Sequence, residues 1–245
     1  MGTCEGKVAV VTGSSSGIGE AVARRFAAEG AAVVVNSATS VDAGRRVAES
    51  LPDATYVQAD VSTPAGAAAV VQAAVGKWGR LDHLVNNAGW TKVVPHADID
   101  AADLELWRRV FEINVFGTWL VCQAALPHLR ADGGGSITNV TSLAGVREVG
   151  SSIPYACSKA ALNHQTELLA KVVGPEVRVN AVAPGLIATP WTADWDAQHA
   201  GVESTAPLKR VGTPDDVAEV TLAMATSGYV TGQILVVDGG LGLVV

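Results

Sequence analysis

Short valine-rich runs alternate with longer alanine-rich segments along the whole of this chain. The runs at 7–11, 32–35, 55–58, 81–86, 136–139, 177–181 and 233–237 have the length and β-branched content of strands. The first of them are apolar nearly throughout, which is the pattern of strands covered on both faces. Between them, 17–29, 65–77 and 155–172 read as helices. Alternation of this kind folds as α/β: a Rossmann-type, doubly wound parallel sheet of about seven strands with helices on both faces. No linker, repeat or low-complexity tract divides the 245 residues, so one domain is expected to span 1–245. The stretch 186–208, rich in Trp, Thr, Asp and Ala, shows no clear period. It is expected to form a mobile substrate lobe.

Composition narrows the function. The chain is 49% hydrophobic and only 17% charged, enough for a large core. Its net charge is −7 and no basic run is visible, which argues against a nucleic-acid partner. Cys4, Cys122 and Cys157 are scattered without metal-like spacing, and the five histidines show no ligand pattern, so no metal site is expected. Sparse, odd cysteines and the lack of a basic segment followed by an apolar run point to the cytoplasm. No apolar run nears the roughly 18 residues that span a bilayer, so no membrane partner is expected.

Two motifs carry chemistry. Thr12-Gly-Ser-Ser-Ser-Gly-Ile-Gly19 follows the first strand and opens the first helix. Glycines at 13, 17 and 19 permit a tight turn and a close backbone approach to a pyrophosphate, which the helix N-terminus attracts. Tyr155 and Lys159 stand four apart, on one face of a helix. A nearby ammonium favours a phenolate, so Lys159 is expected to lower the Tyr155 pKa toward working pH. With the Ser142 hydroxyl thirteen residues earlier, the set suits proton exchange with a carbonyl or alcohol oxygen.

On these residues the chain resembles the short-chain dehydrogenases/reductases, 3-oxoacyl reductase-like members included, over essentially its whole length. The family's cofactor turn matches Thr12 to Gly19, its Asn-Asn-Ala-Gly motif Asn86 to Gly89, and its catalytic set Asn114, Ser142, Tyr155 and Lys159. Its Pro-Gly matches Pro184 and Gly185, with Thr189 in the carboxamide-binding position. The resemblance implies that Tyr155 is the acid or base, that Lys159 also holds the nicotinamide ribose, that Ser142 binds the substrate oxygen, and that Asn114 anchors a water relaying protons to Lys159. It also implies a cofactor lying on Gly13, Ser15, Ser16, Gly17, Ile18 and Gly19, on Asn36 and Ser37, on Asp60 and Val61, and on Asn87, Ala88 and Gly89. Homotetramers are common in such proteins, here through 103–129 and 155–172.

Cofactor choice rests on Asn36, Ser37 and the residues after them. An acid that would bind ribose hydroxyls is missing until Asp42. Small polar residues leave room for a 2′-phosphate, so NADP(H) is favoured and NAD(H) remains open. The expected reaction is hydride transfer between NADP(H) and a ketone/secondary alcohol pair. The closest rival is a 3-oxoacyl-[acyl-carrier-protein] reductase, for which Arg130 and Lys171 are the bases nominated to dock the acidic carrier. A non-catalytic dinucleotide-binding regulator is a second rival, but would not need the acid–base pair. An epimerase of nucleotide sugars would need a larger C-terminal domain. Trp90, Trp191 and Trp195 read equally as pocket walls for an apolar or aromatic ketone and as packing. Cys157 reads as a small packing residue. The apolar tail from Leu241 to Val245 is expected to lie under the lobe or a partner subunit.

Overall fold

Val8, Ala9, Val10 and Val11 are all buried, as a strand covered on both faces must be. In the computed structural model, which describes residues 2–131 and 133–245, this strand is β1 (Val8–Val11), an interior strand of a seven-stranded sheet. The others are β2 (Ala32–Ser37), β3 (Ala54–Gln58), β4 (His83–Asn86), β5 (Gly135–Val140), β6 (Val177–Pro184) and β7 (Ile234–Val237). All pair in parallel, in the order β3-β2-β1-β4-β5-β6-β7. The sequence reading placed each of these strands, with ends shifted by one to three residues.

Helices α1 (Gly17–Ala28), α2 (Val41–Glu49), α3 (Pro64–Trp78), α4 (Leu104–Phe111), α5 (Thr118–Leu129), α6 (Ile153–Val173), α7 (Asp196–Thr205) and α8 (Pro214–Thr226) complete the fold. The two-residue period of a strand sends alternate side chains to opposite layers. Val8, Val10 and Val34 meet Val70 of α3 and Val121 and Leu129 of α5 on one face. Ala9, Val11, Val33 and Val35 meet Val22 and Phe26 of α1 and Leu222 of α8 on the other. Hydroxyl and carboxylate caps set helix starts: Asp103 accepts from the Leu106 amide at 2.8 Å, and Thr63 from the Gly66 amide at 3.0 Å.

The helix expected over 103–129 is interrupted by a π-helical turn, Glu112–Gly117, whose wider register carries Asn114. By length and apolar content the run Leu104–Leu129 could cross a membrane. Its Val121, Cys122, Ala125 and Leu129 are instead packed in the core, and Glu105, Arg108, Arg109 and Glu112 charge its first half.

The stretch 186–208 is more regular than its composition suggests. It holds a 3₁₀ turn, Pro190–Thr192, and α7, and Ile187 bridges to Gly212. Val202 is the one buried residue of α7, so no apolar period marks it in the sequence. The tail is not covered within the chain: Leu243, Val244 and Val245 are 81%, 52% and 52% exposed. Cys157 is also exposed, on the outer face of α6, and is not the packing residue expected.

Candidate active site

The strand order reverses between β1 and β4, and loops leaving their C-terminal ends part there to form a crevice. A cleft of about 1000 Å³ occupies that position. Every residue expected to hold the cofactor lines it except Ser15. Ser142, Tyr155 and Lys159 line it as well, whereas Asn114 is buried behind it.

The glycine turn is braced from three sides. The Thr12 hydroxyl accepts from the Asn87 and Ala88 amides, both at 3.0 Å. The Asn87 side chain donates to the Thr12 and Gly13 carbonyls, also at 3.0 Å. Asn36 accepts from the Gly13 amide at 3.3 Å and donates to the Val57 and Ala59 carbonyls. The side-chain amides of Asn36 and Asn87 are thus committed to the protein, and these two residues shape the cradle. Gly13 has φ +63°, and a Cβ there would lie 2.8 Å from Ala88 Cα, so only glycine lets the two loops meet. At the head of α1 the N-cap Ser16 makes no side-chain cap bond. The first-turn amides of α1 therefore face the cleft without a side-chain cap, and the cradle fits a dinucleotide pyrophosphate.

At the end of β2, Ser37 is buried, and its hydroxyl lies 2.8 Å from the Tyr56 hydroxyl of β3. Val35 pairs with Tyr56, so Ser37 is the diagonal neighbour on the same face. Gly44 of α2 admits the ring: a Cβ there would fall 2.2 Å from Tyr56 Cε2. Asp60 accepts from the Ser62 amide and hydroxyl at 3.0 and 2.7 Å, and these bonds hold its carboxyl below the usual range. It shapes the turn into α3 while lining the cleft.

The reactive cluster is assembled by α6. Asn139 of β5 donates to Thr166 at 2.9 Å and accepts from Asn86 of β4 at 2.9 Å, a buried chain that pins α6 to the sheet. Gly145 lets the loop after β5 reach the Lys159 backbone, where a Cβ would lie 2.6 Å from Lys159 C. Ser142 caps that loop by accepting from the Ala144 amide at 3.1 Å, and its hydroxyl is bonded to Tyr155. Asn114 accepts from the Trp90 amide at 2.8 Å and donates to the Trp90 carbonyl and the Ser158 hydroxyl at 3.0 Å. It braces the loop bearing Gly89 and Trp90.

One electrostatic expectation is corrected. Burial raises the Tyr155 phenol above its ordinary value, and the Ser142 bond only opposes this. Lys159 is 4% exposed, and burial lowers it to about 8. Its ammonium donates to the Val140 carbonyl at 2.9 Å and stands 5.7 Å from the Tyr155 ring centre. Desolvation outweighs the ammonium at that separation.

The three tryptophans all line the cleft beyond the cluster, with Trp191 edge-on to Tyr155 at 6.4 Å between ring centres. The nominated docking bases lie away from this chain's own cluster. Arg130 caps the C-terminus of α5 and Lys171 lies in the last turn of α6, the end far from Tyr155. Sixteen helical residues put Lys171 roughly 24 Å from Tyr155. Sequence reasoning missed Ser14, whose hydroxyl bonds the Val11 carbonyl and the Asn36 amide, and Tyr56. Ser14 lies inside the quoted turn, but Tyr56 is visible only once strand register is known.

Comparison with known proteins agrees with this architecture. A family model described as Enoyl-(Acyl carrier protein) reductase matches residues 13–242. A protein from Streptomyces violaceoruber, named for a ketoacyl reductase role in the granaticin polyketide synthase, is 57% identical over 98% of this chain and 97% of its own length. The 3-oxoacyl-[acyl-carrier-protein] reductase of Thermotoga maritima is 40% identical over 97% and 98%. A 7α-hydroxysteroid dehydrogenase solved with NADH and a 7-oxo bile acid superposes with TM-score 0.88 at 32% identity, over 97% of this chain and 94% of that one. The chain belongs to the short-chain dehydrogenase/reductase family, whose NAD(P)-dependent members act on CH–OH groups.

Proposed function

We propose that this oxidoreductase reduces a ketone to a secondary alcohol with NADP(H), using Ser142, Tyr155 and Lys159. The carrying observation is the convergence of Ser142, Tyr155 and Lys159 on the cleft that the glycine turn also lines. A bound nicotinamide cofactor supplies the hydride, which brings two electrons to the carbonyl carbon. The Tyr155 hydroxyl gives its proton to the carbonyl oxygen. Its raised pKa keeps it protonated, as a proton donor must be. Ser142 bonds the same oxygen, and Lys159 offers its ammonium to the ribose. Asn114 keeps the loop of Gly89 and Trp90 in register with Lys159.

The preference for NADP(H) is supported by Ser37, a buried hydroxyl at the end of β2, in a stretch with no Asp or Glu between Glu29 and Asp42. Exposed Phe116 and Trp119 on one helical run, and Leu168 and Val172 on α6, support a homo-oligomer, a tetramer in our reading. Free thiols at Cys4, Cys122 and Cys157 support a cytoplasmic setting. Residues 186–208 form the substrate lobe. A carrier-delivered 3-oxoacyl substrate is the second reading, favoured by the relatives' names and weakened by the placement of Arg130 and Lys171. Oxidation of NADPH by the purified protein with simple ketones tests the proposal, and binding of the cofactor without turnover of any ketone contradicts it.

A further inference from the structure

Beyond the reactive cluster the cleft opens into a compartment with aromatic walls from two separate loops. Trp90 follows β4, and Trp191 and Trp195 lie between β6 and α7. Val93, Val149 and Leu241 add apolar lining to the same cleft. Trp90 is 36% exposed and Trp191 49% exposed, so each offers indole surface that the folded chain leaves uncovered. Trp191 meets Tyr155 edge-on, at 80° between ring planes, so its indole adjoins the group proposed to donate the proton.

Polarity is as telling as shape. The charged side chains lining the whole cleft are Asp60, Arg109 and Lys159. Asp60 is held by Ser62 at the turn after β3, Arg109 of α4 pairs with Glu112 at 3.2 Å, and Lys159 is committed to Val140. Apart from these three, no charged side chain among the described residues lines the cleft. Two of its polar groups satisfy each other, since the Thr91 and Ser151 hydroxyls are 2.8 Å apart. An ionised substrate group would find no partner there and would lose its hydration. Charged residues beside the compartment in sequence are exposed and mixed in sign: Lys92 and Arg147 against Glu148, Asp194 and Asp196. The Arg147 guanidinium already bonds the Val146 and Gly242 carbonyls. This rim offers no basic patch to an acidic carrier protein.

The geometry points to a free, uncharged ketone fused into a flat system of at least two rings as the substrate class, seated against Trp90, Trp191 and Trp195. This rests on the ketone-reductase reading above. A flat ring system buries indole faces on both sides and needs no ion pair, whereas a single small ring leaves much of that surface wet.

The test compares kcat/KM with NADPH for 2-tetralone, cyclohexanone, a carboxylated 2-tetralone and acetoacetyl-N-acetylcysteamine, a carrier-arm mimic. The expected result is at least a roughly 30-fold preference for 2-tetralone over cyclohexanone, the scale of burying the four added ring carbons. The carboxylated ketone and the thioester are expected to be poorer than 2-tetralone. Trp191→Ala should cut the 2-tetralone to cyclohexanone ratio at least about tenfold, mainly through KM. Equal values for the two neutral ketones, or a preference for the thioester or the carboxylated ketone, would overturn this inference and leave the reductase reading standing. Reduction of none of them by cofactor-binding protein would overturn both.

Discussion

Lys159 donates to the Val140 carbonyl oxygen at 2.9 Å, so the ammonium of the Tyr-Lys pair is anchored to the end of β5. That bond fixes where the charge stands relative to Tyr155, and burial fixes what it costs. Lys159 falls from 10.5 to about 8 because it is desolvated.

A group that binds its proton more weakly in the folded state makes stability rise with pH between its two pKa values. Wild-type protein should therefore gain on Lys159→Met by on the order of 3 kcal/mol as pH climbs from below 8 to above 10.5. Urea unfolding of both proteins across that window, without added cofactor, measures it. A constant difference would mean that Lys159 is not desolvated.

Ser37→Asp should swing the NADPH to NADH ratio of kcat/KM toward NADH. The carboxylate repels a 2′-phosphate and accepts from ribose hydroxyls. The Tyr56 hydroxyl, 2.8 Å from the Ser37 oxygen, is placed to steady it. An unchanged ratio would place the 2′-phosphate elsewhere.

Tyr56→Phe tests the same corner from behind. If Tyr56 donates to Ser37, the serine proton is left for a phosphate oxygen. Losing that one bond should weaken NADP⁺ binding about three- to tenfold, the usual range for a hydrogen bond. NAD⁺, whose 2′-hydroxyl both donates and accepts, should weaken less. Calorimetric Kd values for the two cofactors check this, and equal losses would contradict it.

Much of this molecule was legible before its structure. The strands β1 and β2 were the most legible, because burial on both faces leaves them almost wholly valine and alanine. Gly13, Ser142, Tyr155 and Lys159 sit in short motifs whose spacing reflects one turn or one helix face, and the fold brings them to one cleft. Features that depend on register or topology were not legible. Tyr56 meets Ser37 only through the pairing of β2 with β3. The π turn around Asn114 is a change of backbone bonding that no composition marks. Arg130 and Lys171 lie at the end away from Tyr155 because helices in such a fold run against the strands.

The segment 186–208 should exchange its amide hydrogens fast in free protein and slowly once NADP⁺ and a ketone analogue bind. Its anchors are few, chiefly Ile187, Thr192, Val202 and Ala206. Strands β1 and β6 should stay protected throughout. Equal protection of 186–208 with and without ligands would mean that the lobe does not close.

Tyr155→Phe keeps the ring against Trp191 and removes the proton proposed to reach the ketone oxygen. NADPH oxidation with 2-tetralone, measured beside the NADPH Kd, should show kcat reduced at least about 100-fold with binding largely kept. Near-normal turnover by the variant would contradict the account at its centre.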